Sequence, residues 1–345
     1  MEKQNQLRIF SAAGKDLWRP AERSIWTAAS HSDGDEALAL TKSLLDQPRW
    51  LAPHHLYDDR GSELFDRICE LAEYYPTRTE SAILKQRAAE IVRLSGPDCI
   101  VELGAGTSQK TLLLLNEFVK QRGGGVFAPI DVSLASLRIA RDSIERNFPK
   151  VAFVGLHGKY EEGVASIEKN LPTLFLFLGS TVGNFDHSQF SAFFEHVSKS
   201  MGGNDYFLLG VDRVKEAALL EKAYDDAQGL TAEFILNVFQ NANRIIGSDF
   251  DKKKMRYFSR YNTEWRRVEM YAVAAETHEI RIPMPPIAFR WEKGEKILVE
   301  ISRKFDPEQL QSQLRCFGLD PVAHYTDEKN WFSLLLFKKA AVSGR

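Results

Sequence analysis

The chain has 345 residues and a mass of 39.2 kDa, room for two domains or one enlarged α/β domain at about 150 residues each. Hydrophobic residues make up 44% and charged residues 27%, with a formal net charge of −2; this excludes a disordered or coiled-coil chain and a general nucleic-acid binder. The opening MEKQNQLRIF lacks an apolar signal core, the longest greasy runs are too short for a membrane span, and three scattered cysteines give neither a disulfide framework nor a zinc site, so a cytoplasmic protein is expected.

The first fifty residues are polar, with a turn-rich HSDGDE from His31 to Glu36. A helix is predicted after Tyr74-Tyr75-Pro76, with Thr77 and Glu80 as a capping box and Ala82, Ile83, Ala89, Ile91, Val92 and Leu94 as its apolar stripe. Gly96-Pro97 ends it, and an alternation of strands and helices begins. Continuous apolar runs at 99–103, 126–130, 151–156, 174–178 and 206–211 read as strands. Helices between them start at the N-caps Ser133 and Asp186. Buried strands separated by helices predict a Rossmann-like parallel sheet covered on both faces. From about Val214 the rhythm changes: a helical pattern over 215–224, a polar aromatic-rich stretch, then strand-like runs at 268–275, 279–283, 297–305 and 331–337. The expected division is a substrate-binding domain of residues 1–77 and 214–296 and a Rossmann-like domain of 78–213 and 297–345.

Ligands of such sheets bind beyond the carboxyl ends of the strands. The strand Ile100-Val101-Glu102-Leu103 runs into Gly104-Ala105-Gly106-Thr107, and Asp131 closes the next strand. The turn departs from the dinucleotide pattern, with Gln109 at its sixth position, and is not a phosphate-binding Walker loop. An acidic residue at Asp131 can accept from both ribose hydroxyls. S-adenosylmethionine carries that ribose and no phosphate, which suits this turn; a plain tight turn is the alternative reading.

Five ordered motifs resemble a known family: Tyr57-Asp58-Asp59-Arg60-Gly61-Ser62-Glu63-Leu64-Phe65-Asp66, Glu73-Tyr74-Tyr75-Pro76-Thr77-Arg78, Glu102 to Thr111, Leu178-Gly179-Ser180-Thr181-Val182-Gly183-Asn184-Phe185, and Glu300-Ile301-Ser302-Arg303-Lys304-Phe305. From about Trp50 onward the chain is similar to the histidine-specific Nα-methyltransferases of ergothioneine biosynthesis, which form hercynine. The resemblance implies a class I methyltransferase fold, with S-adenosylmethionine as cofactor and trimethylation of the α-amine of histidine; a monomer that holds no metal is expected. It implies donor contacts at Gly104, Lys110, Asp131, Lys159 and Tyr160. Tyr57 and Asn184 would be the catalytic pair beside the substrate amine, and Tyr74 and Tyr224 would lie near its carboxylate. Glu300 and Ser302 would read the imidazole in a pocket shaped by Met270. One pair departs from the pattern: the bacterial enzymes carry Asp-Phe where this chain has Lys159-Tyr160. Tyr160 can stack on adenine, whereas Lys159 cannot accept from the adenine amino group.

Glu300 and Ser302 stand two apart on an expected strand and so share a face, although Lys304 continues that face and an exposed charged strand would show the same pattern. Core packing is the alternative for Tyr57, Tyr74 and Tyr224, and a turn former for Asn184. His54-His55 has no third ligand at metal spacing, and 251–254 reads as a solvated helix end. Two other functions fit the same motifs: the same chemistry on tryptophan or a derivative, and a non-catalytic S-adenosylmethionine-binding module.

Overall fold

The computed structural model describes residues 7–9, 25–27, 33–169, 171–283 and 286–340. The chain forms two compact units, a larger one of residues 1–30, 76–213 and 305–345 and a smaller one of 31–75 and 214–304. Two stretches therefore fall in the other unit from the one expected. The described strands of the first thirty residues, Leu7–Ile9 and Ile25–Thr27, pair in parallel with Ile167–Lys169 and Gly155–His157 of the larger unit. The strand Lys296–Arg303 belongs to the smaller unit because it pairs along Arg267–Ala274.

The larger unit begins with helix α1 (Tyr75–Ser95), then alternates β1 (Cys99–Leu103), α2 (Thr111–Arg122), β2 (Gly125–Asp131), α3 (Leu134–Asn147), β3 (Gly155–His157), α4 (Tyr160–Ser166), β4 (Thr173–Phe177), α5 (His187–Ser200) and β5 (Tyr206–Asp212). It ends with α6 (Pro307–Arg315), β6 (Leu319–Thr326) and β7 (Phe332–Lys339). The sheet order is β6-β7-β5-β4-β1-β2-β3, with Ile25–Thr27 outside β3 and the short strand Val151–Phe153 also on β2. Strands β1 to β5 are parallel and β7 runs antiparallel to both its neighbours. This is the Rossmann-like parallel sheet that the buried apolar runs predict. Strand order reverses between β1 and β4, the position where open α/β sheets bind ligands.

Every residue of β1 and β4 is buried, which explains their unbroken apolar runs. One face packs Phe190, Phe193, Phe194 and Val197 of α5; the other packs Ile83, Leu84, Ala88, Ile91 and Val92 of α1 with Leu114, Leu115 and Phe118 of α2. The core face of α1 thus excludes Ala82 and Ala89, which are exposed. Nor is there a capping box at Thr77 and Glu80: the helix starts two residues earlier, at Tyr75, and Glu80 is wholly buried in its interior.

The smaller unit holds helices Asp33–Leu45, Asp59–Glu70, Ala217–Tyr224 and Leu230–Ile246, and a three-stranded antiparallel sheet ordered Met255–Asn262, Arg267–Ala274, Lys296–Arg303. A hairpin of His278–Ile282 and Ile287–Trp291 completes it. The stretch expected to be polar and aromatic-rich holds the 17-residue helix Leu230–Ile246, whose Phe234, Ile235, Val238, Phe239, Ala242 and Ile246 are buried, and the strand Met255–Asn262. The lysine run is a single 3-10 turn, Lys252–Lys254, with no buried residue.

Candidate active site

In the larger unit, the expected donor residues all stand at or just beyond the carboxyl ends of β1 to β3. After β1 the backbone turns through Gly104 at φ +70, a conformation that L side chains rarely adopt. A Cβ there would also stand 3.0 Å from the Tyr160 hydroxyl, a tight contact that the tyrosine would have to ease by a few tenths of an ångström. Asp131 lies at the end of β2 and holds the turn: its carboxylate accepts from Gly106 N–H at 2.7 Å and Ser133 N–H at 2.8 Å. Burial pushes the Asp131 carboxyl up, against the downward pull of those two N–H groups. Glu102, buried beneath the turn, accepts from the hydroxyls of Thr111 and Ser108, and burial pushes it up to about 7.

Lys159 is the N-cap residue of α4; its N–H donates to Glu162 at 3.4 Å. Tyr160 begins α4, its ring edge-on to Phe177 at 5.4 Å and Phe193 at 6.2 Å. Lys110 pairs with the buried Glu80, whose two oxygens each accept Gly179 N–H at 2.9 Å. Glu80 thereby joins the loop after β1 to the loop after β4, a role hidden in the sequence by its resemblance to a cap. Asn184 closes the short 3-10 helix Thr181–Asn184 on that second loop, half-buried.

A nucleoside without phosphate suits this end of the sheet. The Asp131 carboxylate keeps lone pairs beyond the two used on backbone N–H groups, and a side chain added at Gly106 would meet nothing within 4 Å, so the outside of the turn is open.

In the smaller unit, Tyr57 ends the 3-10 turn Pro53–Leu56, and Asp58 caps the helix Asp59–Glu70 by accepting from Gly61 N–H at 2.8 Å. A Cβ at Gly61 would fall 1.7 Å from the Leu56 carbonyl oxygen, which explains the glycine of that motif. Asp58 also accepts from Asn237 at 2.8 Å and pairs with Arg244, both on the helix Leu230–Ile246. Tyr57 is half-buried, edge-on to Phe65 at 5.7 Å and Phe234 at 5.6 Å. Tyr74 is buried, meets Tyr224 edge-on at 5.8 Å, and burial raises its hydroxyl well above the usual phenol range.

Glu300, Ser302 and Lys304 are buried on one face, at 7%, 5% and 3% exposure, so the exposed charged strand is ruled out. Ser302 Oγ and Tyr224 Oη share a hydrogen bond of 2.9 Å, and Lys304 Nζ donates to each at 2.8 Å. Met270, also buried, is the cross-strand partner of Glu300. Burial pushes the Glu300 carboxyl up to about 8, against the pull of the Lys304 ammonium. Lys304 was missed as a member of this group; the period-two spacing Glu300, Ser302, Lys304 was its signal.

The histidine pair has a neighbour that linear spacing conceals. Glu36, from the helix Asp33–Leu45, lies 3.9 Å from His54 Nε2 and 3.4 Å from His55 Nδ1. Among the described residues, Cys69, Cys99 and Cys316 form no disulfide. No described helix is long and apolar enough to cross a membrane.

Residues 36–339 match the family described as "Histidine-specific methyltransferase, SAM-dependent". The histidine N-alpha-methyltransferase of Mycobacterium tuberculosis is 38% identical over 85% of this chain and 91% of its own length. Ergothioneine biosynthesis protein 1 of Neurospora crassa is 32% identical over 86% of this chain, which spans 34% of that longer protein. The L-tryptophan methyltransferase trpM of Psilocybe serbica is 28% identical over 86% of this chain and 91% of its own length. The chain belongs to the histidine-specific, S-adenosylmethionine-dependent methyltransferase family.

Proposed function

We propose that this enzyme trimethylates the α-amine of L-histidine to hercynine, the first step of ergothioneine biosynthesis. The observation that carries the choice of substrate is the buried face of Glu300 and Ser302, a carboxyl and a hydroxyl set two residues apart on one strand. Such a pair satisfies both nitrogens of an imidazole; an indole would leave a buried polar group unmatched.

S-adenosylmethionine supplies an electrophilic methyl group when bound. In this reading Asp131 accepts from its ribose hydroxyls, the turn at Gly104 and the Lys110 loop flank it, and Lys159 and Tyr160 lie at its adenine, with the Tyr160 ring stacking on it. Attack needs a neutral amine, and a peptide α-amino group already has a pKa of roughly 7.7–8.0. Tyr57 and Asn184 are hydrogen-bonding groups suited to orienting the lone pair, with Tyr57 passing the proton to water. Tyr74 serves the carboxylate. Tyr224, its ring against Tyr74 and its hydroxyl on Ser302, joins that group to the one that reads the ring. The quaternary product has no lone pair, so three transfers end the reaction.

Methylation of the twenty amino acids one at a time, followed by mass spectrometry, tests the proposal. Histidine carrying one, two and finally three methyl groups is expected. Preferential methylation of tryptophan, as in the name of the Psilocybe relative, would replace the substrate and keep the enzyme class.

A further inference from the structure

Lys304 has no part in the assignments above, yet it is the most deeply buried of the three polar residues on its strand face. A buried ammonium is costly unless hydrogen-bonded acceptors compensate it. Here Tyr224 Oη and Ser302 Oγ do so at 2.8 Å each, and the ammonium also lies 4.5 Å from the centre of the Tyr224 ring. The two hydroxyls are themselves 2.9 Å apart.

Counting hydrogens leaves two polarities for this triangle, with either hydroxyl as donor to the other, and acidity decides between them. An ammonium only donates, so each hydroxyl oxygen gives one lone pair to Lys304. A single hydrogen lies between Tyr224 and Ser302. The phenol is the stronger acid, so Tyr224 donates and Ser302 accepts. Ser302 Oγ then has both lone pairs occupied, and only its own O–H hydrogen remains to be given.

We propose that Lys304 is a positioning residue that fixes Ser302 as a hydrogen-bond donor toward the substrate ring, selecting a ring with an acceptor nitrogen. The inference rests on histidine being the substrate and deepens that reading. A neutral imidazole has one N–H and one acceptor nitrogen. An oxygen of Glu300 accepts the first and Ser302 donates to the second. An indole offers an N–H and no acceptor nitrogen. Without Lys304, Ser302 is free to turn and accept, and the distinction fades.

Calorimetry on the full chain with histidine and with 2-thienylalanine, whose ring lacks nitrogen, tests this. Lys304→Met is expected to weaken histidine binding by about tenfold or more, the effect of one hydrogen bond. Thienylalanine binding should stay within about twofold, and Lys304→Gln, whose amide still donates, should recover part of the histidine preference. Thermal unfolding checks that each variant is folded; if the Met variant is not, the Gln variant supplies the same ratio, at a smaller loss. An equal loss for both ligands, or an unchanged histidine preference, overturns the role of Lys304 alone. Wild-type protein that binds thienylalanine as well as histidine overturns the histidine reading and this inference with it.

Discussion

Glu80 and Gly179 stand 99 residues apart, yet the N–H of the glycine is bonded by both oxygens of the glutamate at 2.9 Å. Because Lys110 pairs with the same carboxylate, one buried residue of α1 fixes the loops after β1 and β4. Glu80→Ala would leave a buried N–H unmatched and a half-buried lysine without its anion. We expect a loss of about 3 kcal/mol, seen as a lower urea midpoint at constant slope. A loss below about 1 kcal/mol would show that water replaces the carboxylate.

Asp131→Ala should weaken S-adenosylmethionine binding by about 1.5–3 kcal/mol, the range for hydrogen bonds to a charged group. Titration calorimetry reads this directly. An affinity equal to that of the wild type would remove Asp131 from the donor site.

Gly104→Ala places a methyl 3.0 Å from the Tyr160 hydroxyl in a backbone at φ +70. The left-handed conformation alone costs about 1–2 kcal/mol. Adding Tyr160→Phe removes the contacting oxygen but leaves ring carbons at 3.3 and 3.4 Å, so it should restore part of the steric cost and none of the backbone cost. A double-mutant cycle on thermal stability separates the two contributions, and strict additivity would disprove the contact.

Stability should depend on pH through Glu300, whose carboxyl burial raises from 4.5 to about 8. Between those values the folded chain holds a proton that the unfolded chain has released, so stability falls as pH rises. The contribution is complete below about 4.5 and is lost as pH passes through about 8. Glu300→Gln removes this dependence, and its stability relative to wild type should climb across the window in parallel urea titrations. A constant offset would mean that Glu300 is ionised throughout.

Selectivity offers a further test. Glu300→Ala removes a hydrogen bond to a carboxyl that burial keeps protonated near neutral pH, worth about 0.5–1.5 kcal/mol, or roughly 2- to 13-fold in histidine binding. Tryptophan should lose less, and shrinking Met270 as well should extend the shift. Equal falls in kcat/KM for both substrates would separate Glu300 from ring recognition.

The parallel sheet was legible because its strands are buried on both faces and read as continuous apolar runs; the predicted bounds of β1 match its observed ones. The helix Leu230–Ile246 was not legible, because asparagines interrupt its apolar positions. Those asparagines are internal ties: Asn237 donates to Asp58, Asn241 to the His55 carbonyl and Asn243 to the Phe250 carbonyl, each at 2.8 Å. Glu80 was misread for a related reason, since its sequence neighbours suggest a local cap and its partner is remote. For Glu300, Ser302 and Lys304 the shared face could be read from spacing, but their burial could not, because it depends on packing in three dimensions.

The position of β7 bears on how the protein is made. It is an interior strand of the sheet, bonded to β5 on one side and β6 on the other, yet the whole 214–304 stretch is synthesised between β5 and β7. While the ribosome translates that stretch, β5 has its full row of backbone donors and acceptors open on one side, together with the apolar side chains that β7 later covers. An unpaired strand of that kind is a template for pairing with another chain. The growing polypeptide is thus most exposed to aggregation after most of its sheet has formed, and it leaves that state only when Phe332–Lys339 has been made.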